Sequence, residues 1–192
     1  GAGSIGVAFA VQFARFGLRV RVWDPLPEAL PRAAGERAER LRMLAEHGLL
    51  DEPVETVLAR VSDHPILYDA LRDADLVQEC APEQLEIKRD LFRMIGAYSP
   101  THAVLASSSS AIAASRFADV TPARDRVLVA HPGNPPYLIS VIELVGGAFT
   151  SEATLQRADD LYRRGGLKRI RGRSEGREGG CNRLQGARVG VG

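Results

Sequence analysis

A histidine and a glutamate are the strongest candidates for proton chemistry. His131 closes the apolar run Arg126-Val127-Leu128-Val129-Ala130, and Glu143 sits inside another, Val141-Ile142-Glu143-Leu144-Val145. Side chains alternate along a strand, so Glu143 shares a face with Val141 and Val145. A carboxylate on an apolar face is costly unless it is paired or hydrogen-bonded. A His–Glu pair satisfies that need and makes a general acid/base unit, in which the carboxylate fixes the tautomer and stabilises the imidazolium. Asn134-Pro135-Pro136 turns the chain between them and lets the two side chains approach. On residue types alone the favoured reading is plainer: a structural strand-end histidine and a glutamate facing water. His47, His64 and His102 lie in helical or loop stretches with no comparable carboxylate.

A second constellation could bind phosphate. Gly1-x-Gly3-x-x-Gly6, with Ser4 and Ile5 between, opens a helical stretch. Gly1 permits a tight turn, Gly3 lets a pyrophosphate approach the backbone, and Gly6 lets the helix pack closely. The helix N-terminus then offers free N–H groups and partial positive charge. Asp24 ends the strand that follows, eighteen residues beyond Gly6. A carboxylate there accepts from an adenosine ribose 2′-hydroxyl and repels a 2′-phosphate, which points to NAD rather than NADP. Such a glycine turn should follow a strand. That first, central strand is expected to lie outside the sequence, as in a fragment or an incomplete gene model.

Ser107-Ser108-Ser109-Ser110 follows the apolar stretch Ala103–Ala106. Hydroxyls at the end of a parallel strand are placed to bond a ligand, although a serine run is commonly only a loop. No G-x-S-x-G elbow and no metal-ligand spacing occurs, which disfavours serine hydrolysis and metal chemistry.

These groups need a scaffold. A helix is expected from the glycine turn to Phe16, stopped by Gly17, and a strand over Arg19–Trp23. A broken helical stretch is expected at about 27–60, then a strand over Asp75–Cys80 and an amphipathic helix over Glu83–Ile95. Strands over Ala103–Ala106, Arg126–Ala130 and Ser140–Val145 follow, and a helix over Thr150–Arg164 capped by Thr150 or Ser151. Strands alternating with helices imply an α/β fold with a mostly parallel sheet covered on both faces. Ligands of such sheets bind beyond the carboxyl ends of the strands, where Asp24, Glu79–Glu83, Ser107–Ser110 and His131 fall.

The 192 residues are 45% hydrophobic and 26% charged, enough for one sizeable core and unlike a disordered tail. The net charge of +1 makes no general case for nucleic acid or membrane. No apolar run approaches a membrane span and no secretory leader is visible. Two cysteines, Cys80 and Cys181, fit a reducing cytoplasm. The charge is uneven. Residues 163–192 hold nine basic and two acidic residues and nine of the 19 glycines, leaving 1–162 at −6. Arg/Gly segments bind single-stranded nucleic acid, but no aromatic is interleaved from Gly165 onward, so no nucleic-acid partner is expected.

Several segments together resemble the 3-hydroxyacyl-CoA dehydrogenase family. They are Gly1–Gly6 with Asp24, Gln78-Glu79-Cys80-Ala81-Pro82-Glu83-Gln84-Leu85-Glu86-Ile87-Lys88, Ala106–Ser110, Ala130-His131-Pro132-Gly133-Asn134-Pro135-Pro136-Tyr137 and Val141–Val145. The Q-E-C-x-P-E and H-P-x-N-P-P-Y runs look most like the L-gulonate 3-dehydrogenase (lambda-crystallin) branch. The resemblance covers about 1–164, and its histidine and glutamate motifs reverse the plainer reading of those residues. It implies a Rossmann-type NAD-binding domain that oxidises the 3-hydroxyl of a 3-hydroxy acid or 3-hydroxyacyl-CoA to a ketone. His131 would be the general base, oriented by Glu143. Ser110 would bond the reacting oxygen or the nicotinamide ribose. Asn134, Glu83 and Lys88 would line the cofactor site, and Asn182 would contact substrate. It also implies a helical second domain that forms a homodimer, and it allows a non-catalytic, crystallin-like NAD-binding protein instead.

The family pattern fails after residue 164. Where an apolar strand and turn are expected, 165–181 is rich in Arg and Gly; Asn182-Arg183-Leu184-Gln185-Gly186-Ala187 returns in register and then lapses again. Residues 165–192 are therefore expected to be irregular, with reading-frame slips garbling 165–181 and another after 187. With its second domain truncated, the chain as written is expected to be inactive.

Overall fold

The computed structural model describes residues 1–171. Helix α1 spans Ser4–Arg15 and is followed by β1 (Val20–Val22), α2 (Ala29–Glu46), α3 (Val54–Leu58), β2 (Val61–Asp63) and α4 (Leu67–Leu71). Then come β3 (Leu76–Glu79), α5 (Leu85–Tyr98), β4 (Val104–Ser107), α6 (Ser115–Ala118) and a 3-10 turn at Arg124–Arg126. β5 (Val127–Pro132), β6 (Val141–Gly146), α7 (Glu152–Arg164) and β7 (Lys168–Arg171) complete the order.

The strands form two sheets. β1 and β2 pair in parallel; the other five run in the order β3-β4-β5-β6-β7. Among the described strands only β5 and β6 are antiparallel, because the 133–140 segment joins them as a hairpin while helices cross over elsewhere. The Rossmann-type expectation holds, and among the described residues no strand precedes α1. Alternation along β4 builds both core layers. Leu105 packs with Leu71, Phe92, Phe117, Val127 and Val129 on one face. Val104 and Ala106 pack with Phe9, Leu128, Leu144 and Tyr162 on the other.

Three local results differ from the sequence expectations. The broken helical stretch contains a strand, β2, whose first residue alone is apolar, so its edge position left little hydrophobic signal. α5 starts at Leu85 rather than Glu83 and continues to Tyr98. The chain from Gly165 is not irregular throughout: β7 adds a parallel strand to β6, anchored by fully buried Leu167. Alternation with arginines masked that strand in the sequence. Ser151 caps α7, its hydroxyl accepting from the Thr154 N–H. Asn182, Cys181 and the expected frame slips beyond 171 lie outside the described residues.

Candidate functional site

The glycine turn is held from three directions. The Ala2 N–H donates to the Asp24 carboxylate at 2.7 Å, and the Leu26 N–H donates to its other oxygen at 3.0 Å. Arg32 donates to the Ala2 carbonyl, and Arg40 donates to the Ser4 carbonyl and hydroxyl. Gly6 lies against the turn so closely that a Cβ there would stand 1.9 Å from the Gly1 carbonyl oxygen. Gly3 is the opposite case, with nothing within 4 Å of its Cβ position.

Gly3 is also the N-cap of α1, where no side chain caps the helix and the first turn carries no acid. Gly1, Gly3 and Ser4 are exposed, and Ile5 and Gly6 half-buried. Free N–H groups, the positive end of the helix dipole and open space over Gly3 fit a dinucleotide pyrophosphate. Asp24, just beyond the end of β1, is the one acid among the described residues whose side chain bonds the turn.

β5 and β6 carry His131 and Glu143. His131 and Glu143 are register partners in the antiparallel pair, so their side chains leave the same face side by side. β6 lies between β5 and β7, so Glu143 is not on an edge strand facing water. His131 is buried, and both its Nδ1 and the Glu143 Oε2 are buried without hydrogen-bond partners. On the other side of the ring, His131 Nε2 lies 3.1 Å from the Ser110 hydroxyl. Burial pushes the imidazole pKa below its ordinary value, opposed by the negative charges of Glu143 and Glu83. The ring is therefore neutral near pH 7 and able to accept a proton.

The loop that presents Ser110 hangs on a buried charge cluster. Lys88 is fully buried, and its Nζ donates to both oxygens of Glu79, at 3.1 and 3.0 Å, and to the Ser107 hydroxyl. Ser107 donates to Glu79 and accepts from the Ser109 N–H. Glu83, 3.6 Å from Lys88, accepts from the Ser109 hydroxyl and the N–H groups of Ala111 and Ile112. Those hydrogen bonds, together with Lys88, hold the Glu83 carboxyl below its ordinary pKa against partial desolvation.

The sequence-derived residues thus fall into two places. Gly1–Gly6 and Asp24 form the dinucleotide turn, while His131, Glu143, Ser110 and Glu83 gather at the ends of β4 and β5. Asn134 is exposed in the turn after β5 and, with Ser4, Arg40 and Tyr137, borders a cavity of about 850 Å³ beside α2. Lys88 is displaced from its expected role: wholly buried, it reaches the cleft only through Glu83 and does not line it. Glu79 and Ser107 stood among the strand-end residues singled out in the sequence, but without a role. The signal for Glu79 was available, since it is a carboxylate ending the short strand Leu76–Glu79, the same anomaly that marked Glu143. Among the described residues no group of His, Cys, Asp or Glu is arranged to hold a metal.

Comparison with known proteins agrees with this arrangement. The family model for the 3-hydroxyacyl-CoA dehydrogenase NAD-binding domain matches residues 1–174. The L-carnitine dehydrogenase of Nocardiopsis dassonvillei is 39% identical over 166 residues, covering 86% of this chain and 50% of that protein. The lambda-crystallin homolog of Bos taurus is 37% identical over 188 residues, covering 96% and 58%. The crystal structure of 3-hydroxybutyryl-CoA dehydrogenase from Escherichia coli superposes with a TM-score of 0.83 at 30% identity, covering 89% of this chain and 36% of that one. The chain spans about half the length of the curated relatives it matches. A glycine turn closed by Asp24, a helix with an open N-terminus and a match over nearly the whole chain lead to one assignment: this is an NAD-binding domain of the 3-hydroxyacyl-CoA dehydrogenase family.

Proposed function

We propose that the protein to which this domain belongs oxidises the secondary alcohol of a 3-hydroxy acid or 3-hydroxyacyl-CoA to the 3-keto product. The observation that carries the reading is His131: a buried imidazole with the Ser110 hydroxyl 3.1 Å from Nε2, a partnerless Nδ1, and Glu143 as its register partner across β5 and β6. Bound NAD would supply the hydride acceptor. The residues of this chain would do the rest. His131 Nε2 takes the proton of the 3-hydroxyl, Glu143 stabilises the imidazolium that results, and the Ser110 hydroxyl steadies the reacting oxygen. Asn134 borders the cofactor cleft, and Asn182 is the expected substrate contact. The expected setting is a cytoplasmic homodimer formed through a helical second domain.

A non-catalytic NAD-binding role is the second reading, and the likeness to a lambda-crystallin homolog supports it. NADH formation with L-gulonate, L-carnitine and 3-hydroxybutyryl-CoA separates the two, with His131→Ala as control. Turnover abolished by His131→Ala supports the dehydrogenase. NAD binding without turnover of any substrate, in a protein carrying the second domain, supports the other.

A further inference from the structure

Glu79 ties together the segments that frame the cleft. It ends β3, is 4% exposed, and pairs in register with Ser107 at the end of β4. Its backbone carbonyl accepts from the Ser108 N–H at 2.9 Å. Its side chain accepts from three further directions. Oε1 takes the Ala81 N–H, which opens the loop after β3. Both oxygens take Lys88 Nζ from α5, and Oε2 takes the Ser107 hydroxyl.

These bonds fix the serine loop. The Ser107 oxygen accepts from Lys88 Nζ at 3.3 Å and from the Ser109 N–H at 3.2 Å. Both its lone pairs are used, so its own proton goes to Glu79. Lys88 also stands 3.6 Å from Glu83, whose Oε1 accepts from the Ser109 hydroxyl and from the Ala111 and Ile112 N–H groups. Two routes therefore run outward from Glu79, one through Ser107 and one through Lys88 and Glu83. They end on Ser109 and Ala111, the residues on either side of Ser110. Ser110 lies between them, its hydroxyl 3.1 Å from His131 Nε2.

We propose that Glu79 is a positioning residue, which holds the Ser110 hydroxyl against His131 from a buried place behind the loop. The inference rests on the dehydrogenase reading for the role it gives Ser110. A neutral amide of the same shape cannot replace the carboxylate. Whichever way a glutamine is turned, its NH2 meets donors: the Ala81 N–H and Lys88 at one position, the Ser107 hydroxyl and Lys88 at the other. Lys88 would then keep Glu83 as its one ion-pair partner among the described residues. Drawing Glu83 inward releases Ser109, Ala111 and Ile112, and Ser110 with them.

Glu79→Gln tests this in two ways. In the 192-residue chain, amide hydrogen exchange should quicken at Ala111 and Ile112 by at least about tenfold. It should hold at Val104, whose N–H bonds the Asp75 carbonyl at the far end of the β3–β4 pair. Unchanged exchange at Ala111 and Ile112 would overturn the proposal. So would equal acceleration at Val104, which marks a general loosening of the fold. Should Glu79→Gln fail to fold, Ser107→Ala keeps the Lys88–Glu79 pair and must give the same pattern more weakly, or the proposal falls. In a protein carrying the second domain, Glu79→Gln should lower kcat about tenfold or more and change KM for NAD less than about twofold, because Asp24 and the glycine turn hold the other half of the dinucleotide. A raised KM with kcat unchanged would show Glu79 acting on binding alone and overturn the proposal. If the parent protein turns over no substrate, the dehydrogenase reading fails, and the exchange result still decides whether Glu79 sets the loop.

Discussion

His131 and Glu143 stand directly opposite each other across the only antiparallel pair among the described strands, each with one buried side-chain atom lacking a hydrogen-bond partner. The pairing follows from chain reversal. The 133–140 segment folds β6 back along β5, so two residues twelve apart in sequence become neighbours on one face. Two polar atoms left unbonded here do not stabilise the fold, since burial without a partner costs about 1–3 kcal/mol each.

The imidazole should titrate below the ordinary histidine value, because burial outweighs the two carboxylates near it. Glu143→Gln removes one of the opposing charges and should lower the His131 pKa further. Proton NMR of the four histidines in the 192-residue chain, with His131→Gln to assign the resonance, measures both shifts. A His131 that titrates above the ordinary histidine value would contradict this account.

The same shift sets a pH dependence of stability. A histidine whose folded pKa lies below its unfolded value is protonated first in the unfolded chain. Its cost to the fold is absent well above the unfolded pKa and grows as pH falls through and below it. Wild type should therefore lose more stability than His131→Gln between about pH 7.5 and pH 5.5. Urea denaturation of the two proteins at both pH values gives the difference directly.

Legibility followed where the chemistry left a local trace. The glycine turn and Asp24 stood out at a helix start and past a strand end, whereas residue types alone favoured a plainer reading of His131 and Glu143 and the family resemblance reversed it. The strands β3 to β6 were readable from their apolar runs. β2 and β7 were not: Val61-Ser62-Asp63 and Lys168-Arg169-Ile170-Arg171 carry too few apolar residues to signal burial. Lys88 was placed along the cofactor site by the family resemblance alone. Only three-dimensional packing shows its ammonium enclosed by Glu79, Ser107 and Glu83.

Lys88 and Glu79 are both almost wholly buried, so solvent screens their contact little. Lys88→Met leaves the Glu79 carboxylate enclosed without its cation and should destabilise the chain by about 3–5 kcal/mol. Adding Glu79→Gln removes the stranded charge, and the double variant should recover part of that loss. Chemical denaturation of the single and double variants checks it. A double variant no more stable than Lys88→Met would show that the two groups are not coupled.

Asp24 should choose between cofactors. It already accepts the Ala2 and Leu26 N–H groups, leaving lone pairs for a ribose hydroxyl. Asp24→Ala should weaken NAD binding by about 1–3 kcal/mol. It should weaken NADP binding less, because the Arg32 guanidinium, bonded to the Ala2 carbonyl, becomes the nearest charge to a 2′-phosphate. Calorimetric titration with each cofactor gives the ratio, and an unchanged ratio would remove Asp24 from this role.

Gly3 and Gly6 separate binding from folding. A methyl group at Gly6 would collide with the Gly1 backbone oxygen, and the backbone there has no side chain to rotate away. Gly6→Ala should therefore distort the turn, lowering both the thermal midpoint and NAD affinity. At Gly3 a methyl group meets open space in the protein, and the N-cap backbone, at φ −75° and ψ 179°, accepts any residue. Gly3→Ala should leave the thermal midpoint almost unchanged and still weaken NAD, because its methyl occupies the path by which a pyrophosphate reaches the first turn of α1. Thermal melts with and without NAD distinguish the two substitutions. If Gly3→Ala bound NAD as tightly as wild type, the pyrophosphate would have to lie elsewhere than over that glycine.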